Sequence, residues 1–139
     1  MTPEIMADIH AAAFTQSRPW NAVEFANLMA NRFNHTVGDK HSFALIQVIA
    51  GEAELITIAT HPDYQRRGLA RRVMTDWHTK ARVLGVSRAF LDVASDNLPA
   101  ISLYQAFGYT PCATRKGYYR RENCHNVDAI VMECRLSGK

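Results

Sequence analysis

The sequence predicts an α+β fold in which a mixed, mainly antiparallel sheet is flanked by helices. Three observations carry this reading. Two short amphipathic helices with start signals open the chain, paired β-rich runs separated by turn residues follow, and a long helix-period stretch then stands between two strands. Hairpins are antiparallel, whereas a helix between two strands forces one crossover connection, so the sheet has to be mixed.

Thr2 followed by Pro3 reads as an N-cap and first helical position, and Ile5, Ile9 and Ala12 or Ala13 supply an apolar stripe ending near Phe14. Asn21-Ala22-Val23-Glu24 has the form of a capping box, after which Phe25, Leu28, Met29 and Phe33 recur at helical spacing. Ser42 to Val48 and Ala53 to Thr60 are strands joined across Ala50-Gly51-Glu52. A weaker strand at Thr36-Val37 gives the order ααβββ; without it the order is ααββ. His61-Pro62-Asp63 ends the strand run because proline donates nothing to a ladder. Leu69, Val73 and Trp77, with Met74, Ala81 and Leu84, then mark one face of a helix stopped by Gly85. Arg88 to Ala94 is a strand, Asn97 or Asp96 caps a helix carrying Ile101, Tyr104 and Phe107, and Gly108 ends it. Tyr109 to Thr114 and the alternating run around Ile130, Met132, Cys134 and Leu136 form a terminal hairpin.

The 139 residues, 47% apolar, fit one domain spanning 1-139, with no repeat or linker to divide them. No apolar run approaches the ~18 residues of a membrane span, and the start lacks the basic-then-apolar order of a signal peptide. A cytoplasmic protein without membrane association is expected. Cys112, Cys124 and Cys134 make no Cys-x-x-Cys pair and read as buried or incidental thiols in a reducing compartment. The six histidines form no metal-ligand spacing, so no metal is expected. Net charge is +3, and Arg66, Arg67, Arg71 and Arg72 alone exceed that excess. Charge this local suits a small polyphosphate better than a nucleic acid, for which no direct binding is expected.

The same arginines bracket Gly68, which lies between the end of a strand and the start of the long helix. Strand, glycine turn and helix make an anion site: the first amides of a helix lack internal partners, and its dipole places about half a positive charge there. Gly68 admits close backbone approach and Ala70 is small. Neither Gly-x-x-x-x-Gly-Lys-Ser/Thr nor Gly-x-Gly-x-x-Gly is present. A basic, solvated helix start is the plain alternative.

The run from Ile58 through Ala59, Thr60 and Gln65-Arg66-Arg67-Gly68-Leu69-Ala70 resembles the central motif of the GNAT acetyltransferases, Gln/Arg-x-x-Gly-x-Gly/Ala. Asn97 to Tyr109 is similar to that family's Asn-x-x-Ala-x-x-Leu-Tyr-x-x-x-Gly-Phe/Tyr. The likeness extends over roughly residues 10 to 136, and is greatest to the branch that acetylates an N-terminal alanine of a ribosomal protein. Two departures stand out. The family's first strand has no evident segment before Thr2, and Arg115-Lys116-Gly117-Tyr118-Tyr119 lacks an asparagine and following proline often found there.

The resemblance implies a GNAT-like fold and acetyl transfer from acetyl-CoA, a cosubstrate, to a primary amine, most naturally the α-amine of a protein N-terminus. It implies cofactor contacts from Ile58, Ala59, Thr60, Arg66, Arg67, Gly68, Leu69, Ala70, Arg71 and Asn97. Tyr104 matches the general acid toward the coenzyme thiolate. Asp92 occupies the position of a family glutamate; being one methylene shorter, it works directly, works through water, or leaves the task to Glu54 or to no protein base. Tyr104 also reads as a core aromatic, Asn97 as a helix cap, and both carboxylates as structural. At pH 7 an α-amine is about 10% neutral and a lysine about 0.04%, which favours the α-amine for a weak base. Tyr118, Tyr119 and Trp20 are candidate walls of the acceptor groove. A small-molecule amine as acceptor, or a silent acyl-CoA-binding domain, are the alternatives.

Overall fold

The computed structural model describes residues 1–14, 19–121 and 125–136. Helix α1 (Pro3–Ala13) starts where the Thr2 hydroxyl accepts a hydrogen bond from the Ile5 amide at 3.1 Å. Its buried face carries Met6, Ile9 and His10, turned from the expected Ile5, Ile9 and alanine stripe because the helix packs against Phe25 and Phe43. Helix α2 (Ala22–Ala30) has a reciprocal capping box: the Glu24 amide donates to Asn21 Oδ1 at 2.9 Å and the Asn21 amide to Glu24 Oε1 at 3.0 Å. Phe33, expected on its stripe, lies beyond the helix and is exposed. Asn31 ends the helix by accepting the Phe33 amide on its side chain, the local competition typical of asparagine.

Six strands follow: β1 (Asn34–Gly38), β2 (Ser42–Ile49), β3 (Glu52–Thr60), β4 (Arg88–Ala94), β5 (Thr110–Tyr119) and β6 (Val127–Arg135), in spatial order β1-β2-β3-β4-β6-β5. The faint strand at Thr36-Val37 is real, and the order is ααβββ. Ala50 and Gly51 both have positive φ, 53° and 79°, the two-residue turn whose twist matches a hairpin. Among the described strands only β3 and β4 pair in parallel, across helix α3 (Leu69–Val83). No strand precedes α1 among the described residues, so the family's first strand has no counterpart there. The terminal hairpin is longer than its sequence pattern: β5 begins one residue later than Tyr109 and runs on to Tyr119 through two register shifts. No helix among the described residues is long and apolar enough to cross a membrane.

Two cores lie on opposite faces of the sheet. Trp77, Val73, Met74 and Ala81 of α3 pack over Ala44, Ile46, Leu55, Leu91 and Met132, whereas Phe43, adjacent to Ala44, turns to the α1–α2 cluster with Ala59. Leu84, expected on the α3 face, is partly exposed; the chain turns at Gly85 (φ 84°) and Val86 enters the core instead, its amide bonded to the Ala81 carbonyl at 2.9 Å. Helix α4 (Leu98–Ala106) is capped by Asn97, whose side chain accepts the Ala100 amide at 3.3 Å. Of the thiols, Cys112 is exposed and Cys134 half-buried, while Cys124 lies outside the described residues.

Each core also encloses a histidine that hydrophobic periodicity does not reveal. His78 Nε2 lies 2.8 Å from the Tyr109 hydroxyl, and His10 Nδ1 accepts the Trp20 amide at 3.0 Å between the rings of Phe14 and Trp20. Burial lowers both to about 4 from an ordinary 6.5. Between those values the unfolded chain binds more protons than the folded one, so stability is full above pH 6.5 and falls as pH drops toward 4, by up to about 3 kcal/mol for each histidine. Chemical denaturation at pH 7 and pH 4.5 should register that loss, and His78→Gln should reduce the difference; equal stabilities at the two pH values would contradict it.

Candidate active site

The register explains how the sheet opens. β3 and β4 pair from Glu52↔Arg88 to Leu55↔Leu91 and no further. Beyond that point β3 remains paired with β2 as far as Thr60, and β4 with β6 as far as Ala94. The two strands therefore part, each held on its outer side. At the parting β3 carries a bulge: Ile46 faces Leu55 and Leu45 faces Thr57, leaving Ile56 as the extra residue. Bulges bend strands, and this one coincides with the first unpaired position.

Ile58, Ala59 and Thr60 occupy the β3 edge that faces the opening. Their side chains are engaged elsewhere: Ile58 packs on the α3 core, Ala59 is buried in the α1–α2 core, and the Thr60 hydroxyl is 2.7 Å from that of Ser42. What this segment offers the opening is backbone. Gln65 returns its side-chain amide to the Thr60 carbonyl at 3.2 Å, fastening the following loop to the strand end.

Below the opening, a short 3-10 turn at Pro62–Tyr64 leads into the loop. Arg66 has φ 65° and Gly68 φ 77°, so two residues within three take left-handed backbone, the alternation that lets amides converge on an anion. A Cβ on Gly68 would meet nothing within 4 Å, and no side chain caps α3. The amides of Leu69, Ala70 and Arg71 therefore begin a helix whose N-terminus is open. Arg66, Arg67, Arg71 and Arg72 are exposed, and none makes an ion pair with a carboxylate within 4.0 Å among the described residues. They do not all converge: the Arg67 guanidinium lies 5.4 Å from the Tyr64 ring centroid, itself stacked on His41 at 3.7 Å, and Arg72 lies toward Asp39.

Titratable groups gather at the mouth. Asp92 is the first β4 residue past the last β3–β4 pair, with a side chain 17% exposed and Oδ1 3.5 Å from Arg115 Nε. Glu54 faces Phe90 across the parallel pair, on the same sheet face as Asp92 but more exposed. Tyr104 is 5% exposed, its ring edge-on to Tyr109, and its hydroxyl makes no hydrogen bond among the described residues. Burial, with the neighbouring Tyr119, pushes its phenol far above 10. Tyr119 is raised to about 12, by burial first and then by Asp92, and is in turn coupled to Tyr104. Tyr118 is 53% exposed and packs edge-on against Tyr119. Trp20 lines a separate groove of about 390 Å³ between α2 and the sheet, with Asn27, Asn31, Asn34, Gln47 and Ile56.

Sequence reasoning named the loop, Tyr104 and Asp92. It did not find the bulge, because Ala53, Leu55, Thr57 and Ala59 alternate as though on one face, nor the ion pair of Arg115, which joins residues with two strand spacings between them.

Residues 11–109 match the model of the Acetyltransferase (GNAT) family. The chain is 32% identical over 140 residues to the [Ribosomal protein bS18]-alanine N-acetyltransferase of Escherichia coli, covering 98% of this chain and 94% of that one. It is 33% identical over 136 residues to the N-alpha-acetyltransferase RimI of Mycobacterium tuberculosis, covering 91% and 82%. The crystal structure of the E. coli ribosomal-protein-S18-alanine N-acetyltransferase superposes with a TM-score of 0.88 at 30% identity over 99% of this chain and 89% of that chain. With a parted parallel pair above an open, arginine-flanked helix start, and relatives of this identity along nearly its whole length, the chain belongs to the GNAT family of acetyl-CoA-dependent N-acetyltransferases.

Proposed function

We propose that this enzyme, one catalytic domain over residues 1–139 acting in the cytoplasm, acetylates the N-terminal α-amine of a protein, in the first instance a ribosomal protein beginning with alanine. The observation that carries the site assignment is the parting of β3 and β4 directly above the uncapped start of α3. Support for the acceptor comes from relatives of about a third identity that act on such N-termini. Tyr118 and Tyr119 border the side from which a peptide enters, whereas Trp20, also a candidate wall, lies in the separate groove beside α2.

The open amides at Leu69, Ala70 and Arg71, with Arg66 and the side-chain-free Gly68, fit a pyrophosphate, and the exposed backbone edge of Ile58 to Thr60 fits an amide-bearing arm. Acetyl-CoA supplies the thioester carbonyl and a thiol leaving group. On that edge a β3 amide hydrogen-bonds the carbonyl oxygen as charge collects there, a stabilisation that is usually a large catalytic term. The acceptor enters as a neutral amine. As nitrogen bonds to the acetyl carbon, its surplus proton passes to Asp92 directly or through one water, and the carbon–sulfur bond breaks. Tyr104, kept protonated by burial, delivers its proton to the departing sulfur. Glu54 serves less well as base because it is the more exposed carboxylate. Asn97 shapes the start of α4 by accepting the Ala100 amide, and its side-chain amide group is the part offered to the cofactor.

Calorimetry should give one CoA per chain. Arg66→Gly relieves left-handed backbone and should leave stability equal or slightly higher, yet weaken CoA by about tenfold through a lost phosphate partner. A truncated pantetheine thioester without the nucleotide should lose nothing. Equal weakening of both ligands would remove Arg66 from the phosphate site.

Tyr104→Phe removes a hydroxyl that has no hydrogen bond among the described residues, so the melting temperature and CoA affinity should hold. Turnover should fall by about 100-fold, within the usual range for a lost general acid. Normal turnover would exclude Tyr104 from the mechanism, and unfolding would assign it to the core.

The acceptor is settled by assaying Ala-starting peptides, the same peptides blocked at the N-terminus, and a panel of small amines. Acetylation confined to free N-termini is expected; turnover of small amines alone would overturn the protein acceptor, and binding without any turnover would identify a silent binder.

A further inference from the structure

Arg115 stands on β5, separated from β4 by β6. Opposite it on β6 is Ala129, and opposite Ala129 on β4 is Ala94. These two small residues leave the sheet face low, and the Arg115 side chain extends across β6 to bring Nε to 3.5 Å from Oδ1 of Asp92. Its guanidinium lies over the Tyr118 ring, 5.6 Å from the centroid, a second contact that holds the side chain in place. Among the described residues the contact is an ion pair and not a hydrogen bond, so it offsets the charge of the carboxylate without taking up its proton-accepting capacity.

The other groups facing Asp92 do not restore a negative field. Tyr119 and the Cys112 thiol, the groups coupled to Asp92 besides Arg115, are both shifted upward and so uncharged at neutral pH. Glu54, on the β3 lip, is exposed to solvent screening. With Arg115 at 54% exposure the pair contributes little to folding, so its place at the mouth needs another account.

A bare, part-buried carboxylate at this position would bind any ammonium ion. Lysine side chains are almost wholly protonated at pH 7. Their nitrogen has no free electron pair, so such complexes are unproductive and would block the site against N-termini.

We infer that Arg115 is a specificity-determining residue: by holding the Asp92 carboxylate in an ion pair, it keeps lysine side chains and other cationic amines from occupying the acceptor position. The inference rests on the N-terminal acceptor proposed above and acts through Asp92, so Arg115 is a positioning residue. The rejection is of ammonium; the neutral fraction of an α-amine passes unaffected.

The experiment measures binding of an N-terminally blocked lysine peptide to the CoA-bound protein by calorimetry. Arg115→Ala should tighten it about fivefold, the scale of a part-exposed ion pair. Arg115→Lys should bind it as the wild type does, and Asp92→Asn combined with Arg115→Ala should abolish the gain. In turnover of an Ala-starting peptide, Arg115→Ala should lower KM and kcat together, because the α-ammonium form is now held unproductively, and the blocked lysine peptide should become a competitive inhibitor. Equal lysine-peptide affinity in wild type and Arg115→Ala, or tightening that persists without the Asp92 carboxylate, would overturn the inference. A wild type inactive on free N-termini would refute the proposed acceptor instead, since the binding arm requires no turnover.

Discussion

The site depends on where one pair of strands stops pairing. A parallel ladder that continued past Leu55 and Leu91 would close the sheet and leave no edge for a ligand. The extra residue at Ile56 interrupts it and also exchanges the faces of β3: Leu55 turns to the α3 core, whereas Ala59, four residues on, turns to the α1–α2 core. One bulge thus lets a single strand serve two cores and bends it away from β4. The amides and carbonyls released along the opening require partners, from water in the free protein and from ligand in the complex. A substrate arm with its own amide groups meets that requirement, which ties acetyl-CoA to the same geometric device that built the fold.

Charge is arranged along this opening in two regimes. At the α3 end it is left uncompensated: arginines that are exposed and without carboxylate partners among the described residues, an uncapped helix and two left-handed residues. Arg66 in that backbone region costs of order 1 kcal/mol, a strain such loops carry where it orients amides. At the mouth, by contrast, charge is cancelled. Asp92 is paired with Arg115, Asp96 with Arg121, and the tyrosines there are neutral. In the proposed mechanism an anionic cosubstrate is drawn to one end and a neutral nucleophile is accepted at the other, so charge sorts the two reactants before either is recognised in detail.

Most of the architecture was legible because local chemistry and tertiary context agree. Thr2, Asn21 and Asn97 cap the helices their sequence positions suggest, and Gly68, Gly85 and Gly108 punctuate where a positive φ is needed. The loop proposed to hold the phosphates was legible in form for the same reason: it is contiguous, and its left-handed turn follows from local backbone. The mouth was less so. Asp92 and Tyr104 were reached through family motifs, but the Arg115–Asp92 pair crosses a strand that comes later in sequence than either residue, and no local pattern encodes it. The alternation in β3 was misleading in a definite way, since buried residues at every second position look alike whether one face or two faces are covered. His10 and His78 were missed because a polar residue on an apolar stripe gives no sign that it is buried until its partners, the Trp20 amide and the Tyr109 hydroxyl, are located.

Burial of Tyr104 bears on whether a core aromatic can also be an acid. In water, a phenol raised well above 10 would be a poor donor to a thiolate, whose conjugate acid has a pKa near 8.5. The comparison changes when both groups share one desolvated site. Burial that destabilises phenolate destabilises the departing thiolate as well, and a thiolate without water has greater need of a hydrogen-bond donor. A hydroxyl without an acceptor among the described residues, held by ring packing against Tyr109, has its proton free for that purpose. A solvated tyrosine would spend the same capacity on water. The core packing of the ring and the proposed proton donation are therefore one arrangement: the ring contacts fix the hydroxyl, and the dryness they create keeps its proton in place until charge develops on sulfur.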